Sequence, residues 1–331
     1  MTAKYGLTAI GNAIVDVLAP ASEDFIASQA DKGMQRGAMN LINAARAEEI
    51  YNLMGAATEM SGGSAGNTMA AFASFGGKGA YIGKVADDQL GKVFRHDIRA
   101  MGVHFDTPPL LNDAPTAQCL ILVTPDAQRT MNTFLGACTK LTAADVDEDI
   151  IANSEITYLE GYLFDEPAAK DAFFTAARYV EKHQRKLSLT LSDSFCVNRY
   201  RAEFIDLIRN HVDILFANEA ELKALSGTDD LHAAQEFIRP LCELTAITHG
   251  AEGSIIVHGS ETIAVKAVKP TQLVDTTGAG DAYAAGFLYG LTENMSLAEC
   301  GRLGSIAAAE VISHMGPRPQ VSLKEVSRKV A

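Results

Sequence analysis

Across the second half of the chain, short apolar runs rich in Ile, Val and Leu alternate with longer stretches whose apolar residues recur every three or four positions. The runs at 156–162 (ITYLEGY), 187–192 (LSLTLS), 212–217 (VDILFA) and 245–248 (TAIT) are too short for stable helices and end near glycine or polar residues. They predict buried strands. Between them, 168–184, 200–211 and 231–243 predict amphipathic helices, the last ended or distorted by Pro240. Strands alternating with helices predict an α/β fold with a mainly parallel, helix-covered sheet.

The first half reads differently. The runs 116–124 (TAQCLILVT) and 128–135 (QRTMNTFL) flank Pro125 and Asp126 as two antiparallel strands flank a turn. Together with 13–19 and about 34–42 they predict a small β-sheet. No repeat, low-complexity tract or long linker interrupts the chain, so this sheet is expected as an insertion on a single domain spanning 1–331. Its segments fall at about 13–42 and 104–136.

Composition narrows the partners. The 331 residues carry a net charge of −13, which disfavours a nucleic-acid surface or an anionic membrane as partner. No apolar stretch reaches membrane-spanning length. Five cysteines, widely spaced and without a CxxC pair, suit reduced, buried thiols. The N-terminal segment has no basic-then-apolar leader pattern, so the expected protein is cytoplasmic and soluble.

Candidate chemistry sits in glycine-rich turns. In VDTTGAGDAYAAGF (274–287), Gly278, Ala279 and Gly280 allow close backbone approach and leave N–H groups free at a predicted helix start. That arrangement suits phosphate oxygens. Asp281 would repel phosphate but can accept a hydroxyl proton beside it, as a general base does. A simple helix cap after a glycine turn explains the same residues equally well. In SGGSAGNTMAAFASFG (61–76), Gly63 again permits close approach, and Asn67 offers an amide suited to sugar hydroxyls; a tight helix entry is the alternative. Asp16, in IGNAIVDVLA, can accept two hydrogen bonds from a vicinal diol or stand as an exposed strand-end carboxylate. Asn218 and Glu221 follow a buried strand at the edge where open α/β sheets bind ligands. Glu221 there can organise a hydrated Mg²⁺ or merely favour a helix N-terminus. The chain has no GxxxxGK[ST], GxGxxG or HExxH, which weighs against Walker-type ATPases, dinucleotide-dependent dehydrogenases and zinc enzymes.

Taken in order, GGSAGN (62–67), NEAE (218–221), THGAEG (248–253) and DTTGAGD (275–281) resemble the PfkB, or ribokinase-like, family of sugar and nucleoside kinases. The resemblance implies an α/β core with a β lid and transfer of the ATP γ-phosphoryl group to a hydroxymethyl oxygen. Asp281 would be the catalytic base, with Gly278, Ala279 and Gly280 as its anion hole. Asn218 and Glu221 would order Mg²⁺ through its waters, and Thr248, Gly250 and Gly253 would lie on the nucleotide side. The opening GNAIVD, MGPRP (315–319) and RTMNTFLGA (129–137) are similar to adenosine kinases within that family.

By that likeness Asp16 and Asn67 would hold the ribose hydroxyls, Asn12 and Gly63 would line the same pocket, and Arg129 would reach the transferring phosphate. Met131, Thr133 and Leu135 alternate along a predicted strand and would wall one face of a base. Tyr162, Leu163 or Phe164, and Phe195, would cover the other. The implied acceptor is the 5′-hydroxyl of a nucleoside, adenosine foremost. A ribokinase- or fructokinase-like sugar kinase and a non-catalytic nucleoside sensor are the alternatives. The resemblance also brings dependence on a monovalent cation such as K⁺, through the loops near 274–276 and 314–316. The expected assembly is a monomer or a lid-mediated homodimer.

Overall fold

The computed structural model describes residues 3–126 and 128–330. Among these residues thirteen strands form two sheets. In chain order they are β1 (Tyr5–Ile10), β2 (Ile14–Pro20), β3 (Met39–Leu41), β4 (Thr58–Gly62), β5 (Gly79–Ile82), β6 (Ala117–Val123), β7 (Arg129–Phe134), β8 (Ser154–Glu160), β9 (Lys186–Thr190), β10 (Ile214–Asn218), β11 (Leu244–Thr248), β12 (Ser254–His258) and β13 (Glu261–Val265).

The larger sheet runs β13-β12-β11-β10-β9-β8-β1-β5, parallel from β5 to β11, with an antiparallel β12–β13 edge. Its central strands are buried on both faces, and the period of two divides their side chains. Leu7, Ala9, Tyr158, Phe216 and Ala246 join the helices Ser64–Ser74, Ala279–Thr292 and Leu297–Val311 in one core. Ile10, Leu159, Leu215 and Ile247 face the other, with Phe173 and Phe204 from helices Pro167–Lys182 and Ser194–His211. From β1 the chain goes to β5 on one side and later to β8 on the other. That reversal opens a crevice at the carboxyl ends of β1 and β8, where doubly wound sheets bind ligands.

The α/β reading and the strand–helix alternation hold, with strand bounds shifted by one or two residues. The third helix stops at Ile238, just before Pro240. Helix Ser194–His211 begins six residues earlier than the pattern implied, because Asp193 caps it and a non-helical Tyr200 interrupts its periodicity.

The second sheet runs β3-β7-β6-β2-β4. The β6–β7 hairpin is antiparallel, pairing Val123 with Arg129 and Gln118 with Phe134; Ala127 in its turn lies outside the described residues. Strand β4, TEMSG, was not expected, since it offers Met60 as its only large apolar side chain. It completes the sheet by pairing antiparallel with β2. All five cysteines are free and buried. Among the described residues no helix is long and apolar enough to cross a membrane.

Candidate active site

A cleft of about 600 Å³ lies at the carboxyl ends of the parallel strands and is walled by the second sheet. Asp281 enters it from the first turn of helix Ala279–Thr292. Gly278, the residue before that helix, takes a left-handed φ of 77° and packs so closely on Pro317 that a Cβ would come within 2.6 Å of it. No side chain caps the helix; the Ala279 N–H donates to the Thr276 carbonyl at 3.3 Å, and the Gly280 N–H beside it suits an anion. The Asp281 carboxylate accepts from Ser64 Oγ at 2.6 Å and from Asn67 Nδ2 at 3.2 Å. Burial raises its pKa to about 6, opposed by those two hydrogen bonds and by the charge of Arg318.

Asn67 also accepts from Arg318 Nε at 3.1 Å, so the amide expected to hold a ribose is already engaged on both ends. One N–H of its amide remains. Asp16, on β2, is buried at the cleft wall and is likewise raised to about 6, by burial first and by Asp281 to a lesser degree, with Arg318 and Arg129 opposing. Asn12 follows β1 and donates through Nδ2 to Glu160 at 2.8 Å. Gly63 has φ of 83°, and a Cβ there would come within 2.3 Å of the Asn12 carbonyl oxygen; this contact is why the turn into helix Ser64–Ser74 needs glycine.

Sequence reasoning missed Glu160, Asp193 and Arg318. Glu160 ends β8, accepts from Ala65 N, Asn12 N and Asn12 Nδ2, and is raised by burial to about 7. Its signal was present: a lone carboxylate at the carboxyl end of a buried strand, the same cue that singled out Glu221.

Asn218 and Glu221 close a capping box on helix Glu219–Ser226. Asn218 Oδ1 accepts from Glu221 N, while the Glu221 carboxylate accepts from Asn218 N and Nδ2. The helix-capping reading is therefore met, and both residues also line the cleft. Burial lifts Glu221 to about 7, with Asp193 and Asp281 adding to the rise. Thr248 and Gly250 line the same end of the cleft. Gly253 is not among its lining residues. A Cβ there would come within 2.1 Å of the Val265 carbonyl oxygen, so it serves the β11–β12 turn against β13.

From the second sheet, Arg129, Met131, Thr133 and Leu135 line the cleft on alternate positions, joined by Ile121 from β6. The Thr133 hydroxyl donates to Cys119 Sγ at 3.2 Å. Arg129 does not reach into open space. Its Nη2 pairs with Asp275 at 2.6 Å and contacts Met315 Sδ, while Nε and Nη1 have no partner among the described residues. Phe164 must be corrected: it is fully buried behind the cleft, stacked on Phe204 with centroids 4.1 Å apart. The one-residue offset in a 3₁₀ turn turns Leu163 and Tyr162, not Phe164, toward the cleft. Phe195 is exposed and is not a lining residue.

This chain is similar over nearly its whole length to solved kinases. An adenosine kinase from Sinorhizobium meliloti matches at 55% identity, covering 99% of this chain and 100% of that one, with a TM-score of 0.91. A probable sugar kinase protein from Rhizobium etli CFN 42 matches at 49% identity, covering 99% of each chain, with a TM-score of 0.92. The adenosine kinase of Saccharomyces cerevisiae is 26% identical, over 94% of this chain and 96% of that protein. The profile of the pfkB family carbohydrate kinases matches residues 37–323. With that match and the shared fold, the chain belongs to the pfkB family and is a phosphotransferase acting on a hydroxyl group.

Proposed function

We propose that this kinase transfers the γ-phosphoryl group of ATP to the 5′-hydroxyl of a nucleoside, adenosine first among acceptors. The observation that carries the reading is the pairing of Asp281 and Asp16 in one cleft with an apolar wall of Ile121 and Met131. A free sugar has no use for that wall, whereas a purine base buries against it. The full-length likeness to a chain named adenosine kinase supports the same acceptor.

In this proposal Asp16 accepts hydrogen bonds from the ribose diol, and the spare N–H of Asn67 adds a donor. The 5′-hydroxyl points at Asp281. As the new O–P bond forms and the bond to the ADP oxygen breaks, the hydroxyl proton passes to Asp281. The backbone at Gly278 to Gly280 meets the phosphate charge through the N–H groups left open there, and Arg129 adds its charge from its pair with Asp275 at the cleft wall. The second sheet acts as a lid that excludes water from the transferring group.

For Mg²⁺, the described residues offer no cluster of three or more His, Cys, Asp or Glu able to ligate it directly. Glu221, with Asp193 nearby, fits an ion held through its own water shell. When bound, Mg²⁺ would offset charge on the ATP phosphates. Thr248 and Gly250 lie on the nucleotide side of this arrangement. Turnover in K⁺ against turnover in Na⁺ measures any dependence on a monovalent cation.

The test is Mg·ATP consumption with adenosine, inosine, guanosine, cytidine, ribose and fructose, with the phosphorylated product identified by mass. Strong preference for adenosine is expected, and Met131→Ala should then raise KM for adenosine more than for ribose. Preference for ribose or fructose in the wild type would sink the nucleoside reading and leave the kinase intact. Saturable adenosine binding without turnover of any acceptor would favour the sensor reading instead.

A further inference from the structure

Close to the two cleft aspartates lies a cation, Arg318, that does not line the cleft itself. Arg318 belongs to the short segment following helix Leu297–Val311 and ties three elements together. Its Nη1 donates to Ser61 Oγ on β4 at 2.7 Å, and its Nε donates to Asn67 Oδ1 on helix Ser64–Ser74 at 3.1 Å. Ser61 is itself fixed, its backbone N–H donating to Asp97 Oδ2 at 3.0 Å. The neighbouring Pro317 packs on Gly278, at the turn that launches Asp281.

A guanidinium has donors only. Whichever way the Asn67 amide would otherwise turn, Arg318 compels it to present oxygen, and its Nδ2 then faces the Asp281 carboxylate. The result is a directed chain, Arg318 to Asn67 to Asp281, with every donor and acceptor in the correct sense. We propose that Arg318 is a positioning residue for phosphoryl transfer: it locks the Asn67 amide so that Asp281 is aimed at the acceptor hydroxyl, and its charge keeps the two cleft aspartates ionised at neutral pH. The proposal rests on the reading of Asp281 as the base.

The charges facing Asp281 make the second part specific. The Asp281 carboxylate pushes up Asp16 on β2, Glu160 on β8 and Glu221 after β10, each already raised first by burial, and Tyr158 and Tyr162 face it in neutral form. Arg318 is the cation that opposes burial at Asp281, beside the hydrogen bonds of Ser64 and Asn67, and at Asp16 it does so together with Arg129. Asp16 and Asp281 titrate in one range, so the acid limb of the pH profile belongs to the pair.

The experiment separates geometry from charge with two variants. Arg318→Gln keeps a donor for Asn67 and loses the charge; Arg318→Lys keeps the charge and loses the planar fork. Each is first shown folded by its thermal melt, and kcat/KM is then measured from pH 5 to 9 with the best acceptor of the wild-type panel. Removing an opposite charge near a carboxylate raises its pKa by about one unit or more, so Arg318→Gln should move the acid limb up by about one pH unit. That is about a fivefold loss at pH 6 and almost none at pH 8 from charge alone. Arg318→Lys should leave the limb in place and lower kcat uniformly, because the aim of Asp281 is loosened.

A limb at the wild-type position in Arg318→Gln, or equal losses at every pH in both variants, would show a purely structural residue and overturn the proposal. Asp281→Asn, measured alongside, keeps the two failures apart. Substantial turnover there condemns the base assignment itself, whereas a dead Asp281→Asn with an unmoved limb in Arg318→Gln condemns only the role given to Arg318.

Discussion

Replacing Asp281 with Asn separates what its carboxylate does for chemistry from what it costs the fold. Burial raises its pKa from 3.8 to about 6 even against the hydrogen bonds of Ser64 and Asn67 and the charge of Arg318. The rise is about 2 units, and at ~1.4 kcal/mol per unit the ionised carboxylate costs the folded state up to ~3 kcal/mol at pH 8. Because the folded pKa is raised, the stability is fully present below pH ~4, is lost between ~4 and ~6, and stays lost above that. Asparagine escapes the charge without losing its partners. Its carbonyl accepts from Asn67 Nδ2, and its amide donates to Ser64 Oγ, since a hydroxyl can turn from donor to acceptor. With 331 residues at ~2.1 cal/mol/K each, the unfolding entropy is ~0.7 kcal/mol/K. The Asp281→Asn variant should therefore melt up to ~4 °C above wild type at pH 8 and within about a degree of it at pH 4. In the same samples, turnover should fall by about a hundredfold or more. Calorimetric melts at the two pH values, beside an ADP-release assay, read both effects. A variant that melts below wild type at pH 8, or whose advantage is the same at both pH values, refutes the burial argument. Near-normal turnover removes Asp281 from the chemistry.

Three further outcomes follow from the same packing. Glu160→Gln should gain less than Asp281→Asn from losing its buried charge, because the Glu160 oxygens accept only from N–H groups, those of Ala65 and Asn12, which cannot reverse. The Gln amide must then face a donor, a cost of about 1–3 kcal/mol that offsets the relief of the buried charge at pH 8; a melt raised as far as that of Asp281→Asn would contradict this. Phe164→Ala opens a cavity beside Phe204 and Phe173 and should cost about 3–5 kcal/mol while leaving KM for the acceptor essentially unchanged. A large rise in KM without destabilisation would return Phe164 to the binding site. Gly278→Ala should cost at least about 1–2 kcal/mol for its left-handed backbone alone, with the clash against Pro317 added, and should weaken ATP binding as the helix start shifts. An unaltered KM for ATP in that variant would argue that the turn does not cradle phosphate.

The parallel sheet was legible because its strands are buried on both faces and announce themselves as continuous apolar runs. The β6–β7 hairpin was legible for a different reason, the alternation around Pro125 and Asp126, and the same alternation indicated which side chains of β7 share a face. Strand β4 was not, because TEMSG is set by pairing with β2 at a sheet edge and has little apolar pattern of its own. Phe164 and Leu163 differ by one position in a 3₁₀ turn, and no periodicity in the sequence assigns a face there. Arg318 was quoted within MGPRP and still passed over, since its partners Ser61 and Asn67 lie 257 and 251 positions away along the chain. A residue whose meaning comes from contacts that distant cannot be read from its own neighbourhood.

Four carboxylates around one cleft are held above their ordinary range by burial: Asp16 and Asp281 to about 6, Glu160 and Glu221 to about 7. A raised carboxylate alone does not mark chemistry, and the partners of each divide the set. The Glu160 oxygens already accept from three N–H groups of neighbouring backbone and side chain, so ionisation there holds β8 to the turns at Asn12 and Ala65. Glu221 is occupied by its capping box but opens on the cleft, which suits contact with hydrated cations better than contact with a reacting atom. Asp281 accepts one hydroxyl and one amide, and so keeps lone pairs for a ligand; Asp16 has no protein hydrogen-bond donor among the described residues. Those two are where burial leaves a demand for donors that the protein does not meet. A polyhydroxylated acceptor would meet it, and the desolvation of the two carboxylates would become a preference for ligands that bring hydroxyl groups to Asp16 and Asp281.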